Sequence, residues 1–316
     1  MTAPQIIRIA TRSSELALRQ ARMVADLLEK TGASTELVTY KTAGDKNLAQ
    51  PLSQIGAKGL FTKELEDDLA RGKVDCCVHS LKDLPTVSPA GLEIGALLPR
   101  EDPRDVLVVN HNVGASTIAE LPRGSRVGTS SLRRRAQLMA LRNDLEVVEL
   151  RGNVPTRLKK VDDGLVHAAI LAAAGLHRLD VHQRISGYLD APEWLPAAGQ
   201  GAIAVQIRQS DAAVRSLVAT LNHSTTEVAT TAERGFLAAL EGGCQVPIGA
   251  LAVGGALHGF ISSVDGRYVL RDSIALDSTD PAGSGRELAS RLREKGAGKI
   301  LAQLQRMEKA PAPQPE

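Results

Sequence analysis

Apolar and polar positions near the start of the chain alternate between strand-like and helix-like patterns. A short apolar run over 6–10 predicts a strand. Residues 15–30 then repeat apolar side chains with a period of about 3.6, which predicts a helix capped by Ser13 or Ser14. The strand TELVTY, a helix over 62–71 and the strand VDCCV follow. This order predicts a parallel sheet with helices on its faces.

The middle of the chain repeats this alternation after a charged, turn-rich segment, REDPRD, at 100–105. That segment predicts a crossing into a second domain, in which the strands RVGT, EVVEL and HAAILA each lead into a helical pattern. The strand GQGAIAVQI, after Trp194 and Pro196, is expected to return to the first domain.

A third region begins with a capped helix at Ser224. Strands near Leu251 and Val269 and a helix over 286–307 are expected to complete it, and the tail KAPAPQPE has a disordered composition. We therefore predict an α/β fold with three domains. Their predicted bounds are 1–100 plus 200–220, 101–199, and 221–316.

Residues 43–59 show neither a strand nor a helix pattern and are rich in glycine. A loop of this length inside a compact domain is usually functional. Together with Lys58, these features predict a mobile lid over a cleft.

Composition narrows the possible functions. The chain has 316 residues and a net charge of +2, so any basic site must come from local clustering. Aromatic residues make up only 2%, which leaves few stacking platforms, and we expect no nucleic-acid partner. No segment approaches the length of a membrane span, so no membrane contact is expected. Three cysteines without a disulfide framework or metal-ligand spacing predict a cytoplasmic protein without a metal.

Basic residues gather where the predicted strands end. Because the carboxyl ends of parallel strands line one crevice, these cations are expected to meet over a single cleft. Guanidinium groups bind carboxylates in a bidentate manner, so the pattern predicts a ligand with several carboxylates. For any one arginine a solvated helix face is the better interpretation, but the shared position of the set favours the cleft. The set consists of Arg12, Lys82, Arg133, Arg134, Arg151, Arg157 and Arg178, whereas Arg135 is expected to face solvent.

Three further residues allow two interpretations each. Asp83, just past a buried strand, is a candidate to stabilise a cation or move protons, but it also suits a turn before Pro85. His79 favours a packing or hydrogen-bonding role over that of a base. Cys244 lies in the glycine-rich loop LEGGCQVPIG, where it is either a plain thiol or a reactive one.

Several long motifs, in order from about Arg8 to Gly249, resemble porphobilinogen deaminase, also called hydroxymethylbilane synthase. They are ATRSSELAL, GAKGLFTKELE, DCCVHSLKDLPT, REDPRD, GTSSLRR, LRGNVPTRL, AILAAAGLHRL, PAAGQGAI and TAERGFLAALEGGCQVPIG. The resemblance implies three α/β domains, of which the first two are similar to the lobes of type II periplasmic binding proteins. The active cleft would lie between these two lobes. The third, small α/β (α+β) domain would carry the cysteine loop.

The resemblance also implies a cofactor and a reaction. Cys244 would hold a dipyrromethane, two linked pyrroles, through a thioether. On it the enzyme would join four porphobilinogen molecules head to tail, each losing ammonia to give an azafulvene, into a linear tetrapyrrole. Since each pyrrole carries an acetate and a propionate, this chain would be the expected polycarboxylate.

Site residues follow from the same motifs. Asp83 matches the catalytic carboxylate. The cofactor contacts would be Cys244, Lys82, Asp83, Thr129, Ser131, Arg133, Arg134, Arg151 and Gly152. The substrate contacts would be Arg12, Ser14, Lys58, Phe61, Arg157, Arg178 and Gln200. Gln54 stands where some members have a second lysine, which puts a charged contact there in doubt.

As partners we expect porphobilinogen and a uroporphyrinogen III synthase that takes the product, with the enzyme itself a monomer. A non-enzymatic anion-binding protein of the same two-lobed fold is the alternative. A nucleic-acid role for SLRRRAQ is disfavoured by the low net charge and the scarcity of aromatic residues.

Overall fold

The computed structural model describes residues 6–42, 62–240 and 246–309, and the strands within these ranges form three sheets. We name the first sheet with its helices lobe 1, the second lobe 2, and the third the C-terminal domain. Each has its own apolar core. The predicted α/β fold is confirmed. Each sheet falls within one predicted domain, and the domain boundaries themselves stay a prediction.

Lobe 1 contains five strands in the order β2-β1-β3-β10-β4. β1 is parallel to β2 and β3, but β10 is antiparallel to both β3 and β4. The parallel arrangement predicted for β1, β2 and β3 and the predicted return of the chain to the first domain are therefore both confirmed. The strands are β1 (Ile6–Arg12), β2 (Ser34–Tyr40), β3 (Cys76–Ser80), β4 (Leu92–Leu97) and β10 (Ile203–Arg208).

The direction of β10 follows from where the chain enters lobe 1. Ile203, its first residue, pairs with Ser80, the last residue of β3. The chain therefore arrives from lobe 2 at the end of the sheet that borders that lobe, and it runs back along β3. The helices of lobe 1 are α1 (Glu15–Glu29), capped by Ser14, α2 (Lys63–Ala70) and α6 (Ala212–Ala219).

Lobe 2 also contains five strands, in the order β7-β6-β8-β5-β9. β6 is parallel to β7 and β8, and β5 runs antiparallel to β8 and β9. The strands are β5 (Asp105–Val109), β6 (Arg126–Gly128), β7 (Glu146–Val148), β8 (Ala168–Ala172) and β9 (Gly187–Leu189). The helices are α3 (Leu132–Leu141), α4 (Val154–Asp162) and α5 (Ala173–Arg178).

The C-terminal domain packs helices on a three-stranded antiparallel sheet, β11-β12-β13. The strand β12 was not predicted, and the helix expected over 286–307 is interrupted by a wide turn at Arg293–Ala297, where Gly296 has φ 109°. The elements are α7 (Ser224–Ala239), β11 (Ile248–Val253), β12 (Ala256–Ser262), β13 (Val269–Ala275), α8 (Pro281–Leu292) and α9 (Gly298–Lys309). No helix within the described ranges is long and apolar enough to cross a bilayer.

Candidate active site

The strand β3 ends in a single helical turn, Leu81–Asp83, at the border between the lobes. Leu81 is fully buried, and its N–H donates to the carbonyl of Ala202 at 3.0 Å. The N–H of Leu84 closes the turn onto the carbonyl of Leu81 at 3.1 Å. These two bonds fix the backbone of the turn. Lys82 and Asp83 are partly exposed and lie directly after the buried strand β3, at its carboxyl end.

Lys82 occupies an environment that disfavours its charge. Burial lowers the pKa of its ammonium group from the usual 10.5 to about 8, against the stabilising charge of Asp83. The side chains of Arg133 and Arg134 lie close enough to lower this pKa further. The sheet ends thus bring the predicted cations of both lobes within electrostatic reach of one another.

Gln200 connects Lys82 to lobe 2. Its amide oxygen accepts from Nζ of Lys82 at 3.3 Å. Its amide nitrogen donates to the carbonyl of Pro103 at 2.8 Å and to Oδ1 of Asp105 at 2.9 Å. Gln200 is also 1% exposed. With both ends of its amide engaged by the protein, Gln200 supports Lys82 and is poorly placed for the substrate contact that the motifs imply.

Asp105 is the centre of a buried charge cluster. Its carboxylate is fully buried and accepts from Nη1 of Arg133 at 2.6 Å and from Nη2 of Arg134 at 2.7 Å. Nε1 of Trp194 donates to it at 2.8 Å, in addition to the bond from Gln200. Burial alone would raise the pKa of Asp105, but the two arginine charges outweigh burial and hold that pKa well below its usual range.

Arg133 and Arg134 are therefore not solvated charges on a helix face. Their side chains are 6% and 7% exposed, while Arg135, the next residue of α3, is exposed as predicted. Ser131 caps α3 by accepting from the N–H of Arg134 at 3.4 Å. Each of the two arginines already holds one carboxylate of the protein, so a ligand carboxylate would share them with Asp105.

The loop over 149–153, after β7, together with Arg157 forms what we name the cationic edge of the site. Gly152 has φ 114°, and a Cβ at this position would lie 2.8 Å from Cγ2 of Thr156. Its carbonyl accepts from Nε of Arg157 at 2.8 Å. Burial lowers the pKa of Arg157 to about 10, and Arg134 and Asp83 both act on its charge. Arg157 is thus within electrostatic range of both Asp83 of lobe 1 and Arg134 of lobe 2.

Arg178 spans the lobes at the end of α5. Its Nη2 donates to the carbonyl of Gly201 at 2.6 Å. Its Nε is buried and has no hydrogen-bond acceptor among the described residues. Burial lowers the pKa of this guanidinium to about 10. A buried N–H donor without an acceptor is costly, and a ligand carboxylate would supply that acceptor.

Arg12 and Ser14 lie at the carboxyl end of β1. The hydroxyl of Ser14 is engaged as the cap of α1, where it accepts from the N–H of Ala17 at 3.4 Å. His79 is buried, and burial, with a smaller effect from Arg12, lowers the pKa of its imidazole to about 4. A neutral, buried His79 agrees with the packing role expected from the sequence.

The described part of the chain brings together Lys82, Asp83, Arg133, Arg134 and Arg157. Thr129 is buried at the end of β6, and Arg151 is buried in the loop that carries Gly152. Cys244, Lys58, Phe61, Gln54 and the predicted lid over 43–59 lie outside the described residues. Asp105 was missed by sequence reasoning because REDPRD has the composition of a linker.

The cluster fits a ligand with several carboxylates, such as dipyrromethane. Lys82, Arg157 and Arg178 all have lowered pKa values because burial is not balanced by enough negative charge. The unsatisfied Nε of Arg178 adds a donor. The fold and the site define a two-lobed α/β protein with a cluster of cations, suited to a polyanion, where its lobes meet.

Comparisons with known proteins identify the family. Residues 7–216 match the domain described as porphobilinogen deaminase, dipyromethane cofactor binding domain, and residues 228–294 match porphobilinogen deaminase, C-terminal domain. The chain belongs to the porphobilinogen deaminase family.

Relatives match over nearly their whole length. The porphobilinogen deaminase of Moorella thermoacetica is 54% identical, covering 94% of this chain and 96% of the relative. That of Syntrophobacter fumaroxidans is 48% identical, covering 96% and 99%. Among solved structures, the VFT2 domain of Bordetella pertussis BvgS matches 68% of this chain and 86% of that domain at 16% identity and a TM-score of 0.43.

The function that the resemblance implied is confirmed at the level of the family. The protein is a transferase of tetrapyrrole biosynthesis that polymerises four porphobilinogen molecules, with loss of ammonia, into hydroxymethylbilane. Its cofactor is a dipyrromethane, which serves as the primer of the growing chain. The alternative of a non-enzymatic anion-binding protein was wrong.

Proposed function

We propose that Asp83 is the catalytic carboxylate of this enzyme and that the surrounding cations hold the carboxylates of cofactor and substrate. One observation carries this assignment. Asp83 stands at the carboxyl end of a buried strand, and its charge acts on both Lys82 of lobe 1 and Arg157 of lobe 2. Asp83 is the acid of the turn Leu81–Asp83, which we name the catalytic turn, and its charge acts on cations of both lobes.

The chemistry explains why a carboxylate is needed there. When the amine of porphobilinogen leaves as ammonia, positive charge develops on the pyrrole. A fixed carboxylate beside the pyrrole N–H stabilises that charge, and such preorganised stabilisation typically contributes about 10²-fold or more to the rate. Asp83 is partly buried and its backbone is held, so it is in place before the reaction begins.

The cations divide by their position. Arg133, Arg134 and Arg151 are buried in lobe 2, which suits them to carboxylates that stay in place throughout turnover. Arg12, Arg157 and Arg178 are partly exposed, which suits them to incoming substrate. Lys82 is within electrostatic range of Arg133 and Arg134, and Gln200 acts as its support.

Cys244 is proposed as the attachment point of the dipyrromethane. The support is its match to the family motif in EGGCQVPIG and its place just after α7, which ends at Ala239. Intact mass spectrometry tests the proposal directly: the parent protein should exceed the chain mass by one dipyrromethane, and Cys244→Ser should not. An active parent enzyme without the added mass would overturn it.

The experiment for Asp83 is a kinetic one. Asp83→Asn keeps the size of the side chain and removes its charge, so it should retain the cofactor mass and lose about 10²-fold or more in kcat. Asp163→Asn, at the exposed C-terminal end of α4, is the matched control and should keep parental turnover. Near-parental kcat in a folded Asp83→Asn protein would exclude the proposed role.

Three further properties of the enzyme are its compartment, its oligomeric state and the enzyme that takes its product. We propose a cytoplasmic monomer that passes hydroxymethylbilane to a uroporphyrinogen III synthase. Cys76 and Cys77 are adjacent, buried and free, which suits a reducing compartment. Light scattering coupled to size-exclusion chromatography should give the mass of one chain, and a mass of two chains would contradict the monomer.

A further inference from the structure

Arg234, on α7 of the C-terminal domain, contacts the backbone that follows the catalytic turn. Its Nη1 donates to the carbonyl of Leu84 at 3.2 Å, and its Nη2 donates to the carbonyl of Pro85 at 2.6 Å. These carbonyls are one and two residues beyond Asp83 in the chain. Two donors on one planar guanidinium fix both the position and the direction of this short segment.

The segment has few other ways to hold itself. Pro85 has no N–H to donate, and residues 84–90 belong to no helix or strand. On its other side, the catalytic turn is tied to lobe 1 through the bond from the N–H of Leu81 to Ala202. The turn that bears Asp83 is therefore held between two attachments, and Arg234 provides the one from the C-terminal domain.

The helix α7, which carries Arg234, is held in place through the neighbouring residue, Glu233. Glu233 is fully buried and accepts from Arg100 at 2.7 and 2.9 Å. It also accepts from the N–H of Gly199 at 2.7 Å and from the N–H of Ala252 at 2.9 Å. Glu233 thus ties α7 to the interlobe crossing and to β11, and Arg234 extends from this fixed base.

Arg234 has no carboxylate partner among the described residues. Burial lowers the pKa of its guanidinium to about 10, so the group remains charged at neutral pH. Within the described residues this half-buried cation donates only to backbone carbonyls, and it interacts with their dipoles. Hydrogen bonds from a charged donor are about twice as strong as neutral ones. The placement favours a positioning role over an ordinary ion pair.

We propose that Arg234 is a positioning residue. It holds the turn that bears Asp83 in a fixed place relative to α7 of the C-terminal domain. The proposal rests on the proposed catalytic role of Asp83. Arg234 lies on α7, which ends at Ala239, so this helix would set the position of the catalytic acid. Without Arg234 the cofactor would still be attached, but the carboxylate would be poorly aligned.

The test compares Arg234→Gln and Arg234→Lys with Arg271→Gln in the full-length holoenzyme. Arg271 is a matched control, because it is also a half-buried arginine of the C-terminal domain that donates to a backbone carbonyl, that of Pro192 in lobe 2, at 2.9 Å. Intact mass, the melting temperature, kcat and KM are measured for each variant. Arg234→Gln should keep the cofactor mass and lose about tenfold in kcat with KM changed less than threefold.

Arg234→Lys keeps the charge and one of the two bonds, so it should recover part of the lost kcat. Arg271→Gln should shift the melting temperature by a similar amount and leave kcat at the parental value. Equal kcat losses in Arg234→Gln and Arg271→Gln would overturn the proposal, and so would loss of the cofactor mass in both Arg234 variants.

A double-mutant cycle with Asp83→Glu separates this inference from the proposed function. If Arg234 acts through Asp83, the kcat losses of Arg234→Gln and Asp83→Glu are not additive. Additive losses overturn the positioning role and leave Asp83 catalytic. Parental kcat in both Asp83→Glu and Asp83→Asn would instead refute the catalytic role of Asp83, and the positioning role would fall with it.

Discussion

The ammonium group of Lys82 and the amide oxygen of Gln200 lie 3.3 Å apart, and this contact joins the catalytic turn of lobe 1 to lobe 2. On the far side of Gln200, its amide nitrogen donates to Asp105 at 2.9 Å. A single glutamine side chain therefore links a cation with a lowered pKa to the carboxylate at the centre of the buried cluster. Opening the lobes would separate these groups and leave buried polar atoms unpaired.

The lowered pKa of Lys82 predicts a pH dependence of stability. The folded protein binds this proton less tightly than the unfolded chain, so from about pH 8 to 10.5 the unfolded chain carries more protons. The free energy of unfolding contributed by Lys82 must therefore rise with pH in that window. Urea denaturation of cofactor-free Cys244→Ser protein at pH 7.0, 8.5 and 9.5 measures it.

Lys82→Met in the same background should abolish this rise. Lys159→Met, which removes a lysine whose side chain is 74% exposed, should leave the pH dependence unchanged. A parental slope in the Lys82→Met protein would show that another group is responsible.

The buried position of Asp105 predicts that its substitution lowers the free energy of unfolding far more than substitution of an exposed aspartate does. Asp105→Asn removes the carboxylate that Arg133 and Arg134 share in the buried cluster and should cost about 3–5 kcal/mol at pH 7. Because the pKa of Asp105 is lowered, its contribution is present above the pKa of the unfolded chain, near 4, and is lost as pH falls toward the folded-state pKa.

Asp180→Asn is the matched control. Asp180 pairs with Arg19 at 2.6 Å but is 71% exposed, so its loss should cost at most about 1 kcal/mol. Urea denaturation midpoints for both variants give the comparison. Equal costs for the two aspartates would contradict the central role of Asp105.

The conformation of Gly152 predicts that a single added methyl group, as in Gly152→Ala, disturbs the cationic edge. Gly152→Ala would place Cβ 2.8 Å from Cγ2 of Thr156 at φ 114°. Gly164 also has a positive φ, 71°, but has nothing within 4 Å of an added Cβ. Gly164→Ala should therefore cost only the backbone strain, about 1–2 kcal/mol.

Gly152→Ala should cost more than Gly164→Ala and should also reduce the fraction of protein that carries the cofactor, because Arg157 is bonded to the Gly152 carbonyl. Urea denaturation and intact mass report the two effects. Identical stability and full cofactor loading in both variants would refute this account of the loop.

Substitutions of the buried arginines of lobe 2 and of the partly exposed arginines are predicted to impair different steps, cofactor loading and chain elongation. Arg133→Leu or Arg134→Leu should yield protein with little cofactor, because a buried site for fixed carboxylates is lost. Arg12→Leu and Arg157→Leu should keep the cofactor and stall during elongation. Each lost charge-assisted contact should cost about 1.5–3 kcal/mol, which is about one to two factors of ten in binding.

Intact mass after addition of porphobilinogen shows the cofactor and each added pyrrole as separate steps. Asp105→Asn belongs in the same series, since it disturbs Arg133 and Arg134 without removing either. Were all four leucine variants to give the parental series of masses, the assignment of these arginines to the cleft would fail.

Local sequence pattern was sufficient for part of this picture. The apolar strand before Asp83 and the cations at strand ends follow from short-range periodicity, and the structure gathers Lys82, Arg134 and Arg157 as that pattern predicts. The return of GQGAIAVQI to lobe 1 was also predictable, because such a connection is common in two-lobed binding folds.

The contacts that hold the site were not predictable in this way. Asp105 meets Arg134 across 29 positions of the chain, and Gln200 meets Lys82 across 118. Arg234 reaches Pro85 across 149. No local pattern indicates such partners, because the segment around each of these residues is typical of a linker, a turn or a helix surface. The antiparallel entry of β10 was missed for a similar reason, since direction depends on where the chain re-enters the lobe.

The place of β10 between β3 and β4 also sets the order in which the chain acquires its structure during synthesis. When the ribosome has completed β4, the strand that separates β3 from β4 in the folded sheet has not yet been made. The space between β3 and β4 is filled only after residues 203–208 emerge. Lobe 2, whose strands all lie within 105–189, is complete before that point. The second lobe is thus expected to mature first, with the unfinished first sheet exposing two open edges that invite aggregation or a chaperone.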